Sequence, residues 1–569
     1  TTNADGTFEI KYVVGTAQKI QFSFIGMKAV IETLESGKKY EIILKDENIG
    51  LEEVVIKGTA RPKADFGMLQ KDRRDLGNAV SSVDIKTLQT QSVSSIDQML
   101  QGAVPGLQVT FNSGDPGAGA SIRIRGVSSL TGQSDPLWII DGTEVIGDDY
   151  NVESITNFGF NPIGDIDPSE VESIDVLKDA AATALYGSRG ANGVIVIKTK
   201  RGTKGKPTFS FSMKLTGTLV PKKVPMLNGD QMRMFLIESR ANAKGGVDDE
   251  TQYPELRGDM DRADAWIFNN NYDLVDMISR TGLQQNYTLS LRGGGDRLNY
   301  YWSLGYEREM GTTIGGGYER FTTMVNLDYR MSDKLKISSK FSYVNSLTDK
   351  RSTEWPDNLR KNGTGSLLNP LGYARTRAPF LAVYNQNGDD YYIANSGGKE
   401  AYGWGQMYNP MAMIDYATFQ TRNNRFTASL SVDFQIAKGL NLFSQVSTDY
   451  RQSGDEFFCP AGAIGDAASS TAYNSGRRAD GYEMKLVNNN RLTWAPINTE
   501  KHWLQFTAVA DLIYSQSNSL SISYNKSGSP YLQESGARGQ IGDKVSGGET
   551  IGTTVSLVVD AHYRLLNRY

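Results

Sequence analysis

The stretch Gln98–Lys206 decides the reading: QMLQGAVPGLQVTFNSGDPGAGASIRIRGVSSL (98–130), PLWIIDGTEV (136–145) and IDPSEVESIDVLKDAAATALYGSRGANGVIVIKTKRGTKGK (166–206). Short apolar strands, glycine turns and alanine-rich helical turns alternate in it, which predicts a small α+β domain. SSIDQMLQG (94–102) reads as a short helix with Ser94 or Ser95 as N-cap and Gly102 at its end. Asp167, Pro168 and Glu170 form a helix start, with cap, proline at the first position and a carboxylate at the third. Arg123 and Arg125 fall on one face of the strand SIRIRGV, because side chains alternate.

Upstream, FEIKYVV (8–14), KIQFSFIGMKAV (19–30) and KKYEIILKDE (38–47) read as strands of a small β-sandwich. LEEVVIK (51–57) follows, and then a polar stretch punctuated by Gly58, Pro62 and Gly67 that reads as a linker. A strand-prone apolar hexamer beside a linker has two readings. It is either the last sandwich strand or an extended segment that adds to the sheet edge of a partner.

Downstream of Lys206 the pattern changes to long two-faced strands. In FTASLSVDFQI (426–436) the even positions are all apolar and the odd positions all polar. In FTTMVNLDYRM (321–331) the odd positions are mainly apolar and the even positions mainly polar, and the alternation recurs in 504–514 and 554–564. Strands of ~10 residues cross a bilayer at a tilt. Short turns near 293–296, 332–333, 438–439 and 497–500 alternate with long loops at 219–281, 347–422, 454–480 and 527–551. Tyr329, Tyr343, Tyr450 and Tyr514 stand near strand ends, where an aromatic girdle belongs. This rhythm predicts a membrane barrel rather than a soluble sandwich. About ten strands are expected after the small domain. A lumen holding a domain of that size takes ~22 strands, so about half a barrel is expected here.

The 569 residues carry a net charge of −4, which gives no case for nucleic acid as a partner. One cysteine, Cys459, and two histidines, His502 and His562, leave little for disulfides or histidine chemistry. No nucleophile–base pair and no metal-ligand spacing stands out. Gly202–Thr208 lacks phosphate-loop spacing, and the carboxylates Asp165 to Asp175 suit helix capping and a solvated face. The chain is therefore expected to be no enzyme and to hold no cofactor or metal.

LEEVV (51–55), LQGAVPGLQV (100–109), SGDPGAGASIRIRG (113–126), PLWIIDG (136–142) and the run from Ile166 to Gly202 together resemble the SusC-like TonB-dependent outer-membrane transporters. The resemblance implies a mainly β protein: a carboxypeptidase-regulatory-like sandwich over 1–50, a TonB box over 51–57, a linker over 58–76, an α+β plug over 77–205, and the first part of an antiparallel transmembrane barrel over 206–569. It implies that Leu51, Glu52, Glu53, Val54, Val55 and Ile56 bind TonB on the periplasmic side. Arg123 and Arg125 are expected to latch the plug onto carboxylates of the barrel wall. The implied function is active import of a large nutrient, glycan or oligopeptide, under a SusD-like surface lipoprotein, and a dimer of such pairs is an assembly the resemblance allows. The string Gly58–Lys63 departs from the family's usual continuation after the box. The alternative is therefore a non-transporting structural subunit built on the same scaffold.

Overall fold

The computed structural model describes residues 7, 19–22, 29–33 and 38–44, then 63–65, 70–72, 80–83 and 85, and most of 95–566 apart from 128–133, 146–162, 247–255, 352–368, 393–407, 465–473, 530–540 and a few shorter gaps. The chain divides into two compact units, Thr1–Pro62 and Lys63–Tyr569. In the first, β1 (Lys19–Phe22) and β2 (Val30–Thr33) pair antiparallel, with Phe22 opposite Val30. Residues 38–44, expected as a strand, carry no ladder.

The second unit opens on a small hairpin, β3 (Lys63–Asp65) and β4 (Gln70–Asp72), inside the stretch expected as a linker. The plug follows: β5 (Val80–Val83), α1 (Ile96–Leu100), β6 (Leu107–Phe111), β7 (Ala120–Ile124), β8 (Leu137–Ile140), β9 (Thr143–Glu144), β10 (Val171–Leu177) and β11 (Val194–Thr199). Its sheet runs β5-β10-β11-β8-β9, and β6 and β7 form a separate hairpin. β11 lies antiparallel to β10 and parallel to β8, so it is central in the sheet, and both its faces are covered, Ile195 and Ile197 in one buried cluster and Val194 and Val196 in another. That is why VIVI reads as an unbroken apolar run. Ile96, Met99 and Leu100 of α1 close the core over Ile174, Val176, Ile195 and Ile197. Full burial of side chains of this size stabilises by about 1.5–3 kcal/mol each.

Ten long strands complete the unit: β12 (Gly205–Thr218), β13 (Gly282–Gly294), β14 (Leu298–Met310), β15 (Gly316–Arg330), β16 (Leu335–Lys350), β17 (Thr418–Ala437), β18 (Leu440–Cys459), β19 (Ser475–Asn498), β20 (His502–Asn525) and β21 (Ile541–Leu565). They form one sheet in sequence order, each antiparallel to the next. Burial is inverted relative to a soluble sheet. On β15 the buried face carries Arg320, Thr322, Asn326 and Asp328, while Phe321, Leu327 and Tyr329 are exposed. On β18 Gln445, Ser447, Asp449 and Arg451 are buried, and Val446 is 55% exposed. A row of exposed apolar side chains is costly in water and neutral in hydrocarbon, so the outer face belongs in lipid.

Aromatic residues mark the limits of that face. Phe321 and Tyr329 on β15, Phe426 and Phe434 on β17, and Phe506 and Tyr514 on β20 are each separated by 8 residues. At ~3.4 Å per residue and a tilt of ~40°, 8 residues rise ~20 Å along the membrane normal, close to the ~25 Å apolar band of such barrels. Tyr343, Phe426 and Tyr450 continue one of these rows across three paired strands.

The strands outrun the membrane at the long-loop end. The long loop expected over 454–480 is shorter than that, because β18 continues to Cys459 and β19 starts at Ser475. The long connections are themselves folded, with α2 (Gly229–Ala243), α3 (Ala265–Phe268), α4 (Leu274–Met277), α5 (Pro370–Thr376) and α6 (Pro410–Tyr416). Asn369 and Asn409 cap α5 and α6, each followed by a proline at the first helical position. Tyr373 and Met413 from these helices pack on Phe419 and Phe457 at the strand ends.

Gly202 governs the hand-off from β11 to β12. A Cβ there would press on the Tyr300 backbone nitrogen and stand 2.6 Å from the Asn299 carbonyl carbon. Backbone cannot swing aside as a side chain can. Gly202→Ala is expected to lower stability by about 1–3 kcal/mol in denaturant unfolding of the refolded barrel. An unchanged midpoint would show that this joint is loose.

Candidate functional site: the seam between plug and barrel wall

The plug sheet shares no backbone ladder with the barrel sheet among the described residues. What joins them is a set of discrete polar contacts along the inward face of β13 to β19, together with an apolar contact in which Val509 of β20 and Val558 of β21 pack on the cluster of Ile139, Leu177, Tyr186, Val194 and Val196 of the plug. The seam has two halves of different chemistry.

The ionic half is built on the β8–β9 hairpin. Ile140 pairs with Thr143, leaving Asp141-Gly142 as a two-residue turn with φ of 50° and 82°. Positive φ at both positions is the geometry that Asp-Gly supplies for a tight hairpin. The turn aims the Asp141 carboxylate back at β11, where it accepts from the Thr199 N–H at 3.0 Å and hydroxyl at 2.7 Å. Lys340 of β16 reaches the same carboxylate from the barrel wall at 2.5 Å. Burial pushes the Asp141 carboxyl up, but Lys340 and Arg201 with these hydrogen bonds outweigh it and hold the group at about 2. Gln445 of β18 donates to the Asp141 carbonyl at 3.3 Å and to the Thr143 hydroxyl at 3.2 Å. Glu144 accepts from Lys485 of β19 at 2.8 Å and from Arg189 of the plug. Three barrel strands, β16, β18 and β19, thus grip one hairpin tip. Arg201, just past β11, adds an ion pair to Asp328 of β15 at 3.0 Å.

The neutral half lies at the short 3-10 turn Pro168–Glu170. Asp167 caps this turn through Ser169 N–H at 2.7 Å, and its other oxygen accepts from the Thr288 hydroxyl at 3.2 Å. Glu170 accepts from the Ser303 hydroxyl at 2.5 Å. Asn326 donates to the Lys200 carbonyl at 2.7 Å. Thr288, Gly305 and Thr322 sit opposite one another on β13, β14 and β15, and Asp167 docks at the notch left by the glycine, where a Cβ would stand 3.1 Å from its carboxylate. Ser303 comes next inward on β14. Burial, and then the charge of Asp167, pushes the Glu170 carboxyl up to about 7.

Between the halves lies a cleft of about 620 Å³, lined by Thr143 and Glu170 from the plug and by Lys340, Arg425 and Thr448 from the wall. Arg425 is held there by a two-pronged ion pair with Asp449, at 2.9 and 2.7 Å. Among the described residues no group of three or more His, Cys, Asp or Glu is placed to hold a metal ion.

The residues singled out from sequence fall elsewhere. Leu51, Glu52, Glu53, Val54, Val55 and Ile56 lie outside the described residues. Arg123 is half-buried on β7. Arg125 does not share its face: the strand ends at Ile124, and Arg125 turns away with a φ of 61°. Its partner is Asp179 of the plug, not a carboxylate of the barrel wall. The contacts that cross the seam have the opposite polarity for the most part, with plug carboxylates meeting barrel lysines. Asp141, Glu144, Lys340 and Lys485 were missed. Asp-Gly at 141–142 and the inward parity of Lys340 on its strand were the available signals.

Residues 72–194 match the family model of the TonB-dependent receptor plug domain. TonB-dependent receptor P26 of Formosa agariphila is 30% identical over 511 residues, which cover 86% of this chain and 45% of that protein. TonB-dependent receptor SusC of Bacteroides thetaiotaomicron is 29% identical over 469 residues, 79% of this chain and 42% of that protein. The chain thus spans less than half the length of either relative. A solved structure of the RagAB peptide importer in an open-open state shares the fold, with a TM-score of 0.70 at 22% identity over 89% of this chain and 55% of that one. A plug seated by side-chain contacts against an inside-polar, outside-apolar sheet agrees with these findings: over 72–194 the chain is a TonB-dependent receptor plug domain, and over most of its length it is similar to SusC-like TonB-dependent receptors of the outer membrane.

Proposed function

We propose that the protein to which this chain belongs imports a large nutrient, a glycan or an oligopeptide, across the outer membrane, with the plug as its gate. The observation that carries the reading is the seam. A gate must be held shut without being fused to its frame, and separate hydrogen bonds and ion pairs meet that need where a shared β-ladder would not. The pull is applied upstream. Leu51–Ile56 adds as a strand to a periplasmic TonB domain, and main-chain hydrogen bonds supply the grip. The first plug element along the chain from that point is β5, an edge strand joined to β10 over only Val80–Val83. A SusD-like lipoprotein covers the long-loop end, where the folded connections around α2 to α6 supply the docking surface.

Deleting residues 51–56 is expected to abolish nutrient uptake while leaving the amount of folded barrel in the outer membrane unchanged. Uptake at the parental rate would overturn the proposal. Recovery of the SusD-like lipoprotein with the barrel from mildly solubilised membranes tests the partner separately.

A further inference from the structure

Four buried carboxylates of the plug face the barrel wall, and they are treated differently. Asp141 and Glu144 each meet a lysine. Among the described residues Asp167 and Glu170 meet only neutral donors on the wall, Thr288 and Ser303. Thr322 stands beside them, fully buried and with its hydroxyl unpartnered. No cation makes an ion pair with either carboxylate among the described residues. The charged and titratable groups around Glu170 are Asp167 on its own turn, Glu172 on β10, Lys200 after β11, Tyr301 on β14, Arg320 on β15, Lys340 on β16 and Arg425 on β17. The wall cations are engaged elsewhere. Lys340 holds Asp141, Arg320 holds Glu307 at 2.6 Å and the Gly164 carbonyl, and Arg425 holds Asp449.

We propose that this neutral half of the seam is a proton-binding site: Glu170 is held as the neutral acid while the plug is seated and releases its proton to water when the plug leaves β14. Leaving the wall exchanges the Ser303 hydroxyl and a dry surface for solvent, and in solvent the carboxylate is the favoured form. The O–H bond of the acid breaks, the electron pair stays on the carboxylate, and the proton passes to water entering the cleft. Displacing the plug and losing the proton are therefore coupled.

The direction in pH follows from the two states. A freely hydrated glutamate titrates near ~4.3. The seated one is pushed up to about 7 by burial and Asp167. Seating is favoured in acid, weakens as pH rises from about 5 to 8, and changes little above that. The expected change over this window is roughly 10- to 100-fold in the seating equilibrium.

The inference rests on the reading of the plug as a gate, and its test is independent of transport because it reports seating alone. In the full-length transporter in lipid nanodiscs, amide exchange over 166–177, corrected for intrinsic rate, is measured from pH 5 to 8.5. Protection is expected to fall by that factor, centred near pH ~6 and levelling off above neutrality. Glu170→Gln is expected to remain protected and lose the pH dependence. Ser303→Ala, a smaller change to the wall, is expected to keep the dependence while lowering protection throughout. Protection that does not vary with pH in the parent, or a dependence that persists in Glu170→Gln, overturns the proposal.

Discussion

Lys340→Ala is expected to weaken plug seating by roughly 3–5 kcal/mol, the usual cost of stranding one partner of a buried ion pair. Both partners are nearly dry, with the Lys340 side chain 9% exposed and that of Asp141 2%. Without the ammonium, burial acts on Asp141 with only Arg201 and the Thr199 hydrogen bonds against it. The pH dependence identifies the cause. In the parent, Asp141 is held at about 2, below the ordinary aspartate value, so its contribution is complete at neutral pH and is lost as pH falls from about 5 toward 2. In the alanine variant Asp141 titrates upward, so acid neutralises the stranded charge and the deficit narrows as pH is lowered. Asp141→Asn combined with Lys340→Met strands no charge and is expected to cost less than Lys340→Ala alone, which a double-mutant cycle reads as coupling. Protease accessibility and amide exchange of the 137–144 hairpin report seating directly. A Lys340→Ala variant within ~0.5 kcal/mol of the parent would show that the lysine does not hold the plug.

The sequence revealed the two sides of this contact separately and not their meeting. PLWIIDG shows a strand entering an Asp-Gly turn, which local φ requirements make legible. Alternation along FTASLSVDFQI and its neighbours shows which side chains point inward. No local rule says that residue 141 faces residue 340, because the seating of a plug in a lumen is set by the whole wall at once. Arg125 shows the complementary failure. Strict alternation placed it beside Arg123, but the strand stops one residue earlier and a positive φ redirects it to Asp179. Strand ends failed for a different reason. Within the membrane, lipid enforces an apolar outer face, and the period is plain. Beyond it the ladder of β18 and β19 continues through Gly454 and Asp480 with nothing to enforce the pattern, so those residues read as loop. The Asn-Pro pairs at 369–370 and 409–410 did carry a helix-start signal inside the long loop.

Leu430→Arg is expected to cost about 2–4 kcal/mol in lipid, and this substitution separates a membrane wall from any soluble sheet with the same period. Leu430 lies on the outer face of β17, 54% exposed, four residues from Phe426 and four from Phe434. If those aromatics mark the two interfaces, Leu430 is at the bilayer midplane, where a guanidinium has the furthest to reach for water. Ile436 lies on the same face and the same strand, beyond Phe434 and next to the short turn at Lys438-Gly439. Arginine there reaches the headgroups, and Ile436→Arg is expected to cost only about 0–1 kcal/mol. Both side chains are exposed, 54% at Leu430 and 44% at Ile436, and Ile436 lies in the register break between Gln435 and Ala437, where less pairing is at stake, so the difference between them reports mainly depth. Urea-dependent refolding of the full-length barrel into lipid vesicles measures it. In water the two substitutions would be equivalent and close to neutral, since each places a charge on an exposed position of a polar-solvated face. Equal costs at 430 and 436 would remove the 8-residue aromatic spacing as a ruler for the membrane. A cost that falls from 430 to 436 ties the outer-face period seen in sequence to the thickness of a bilayer.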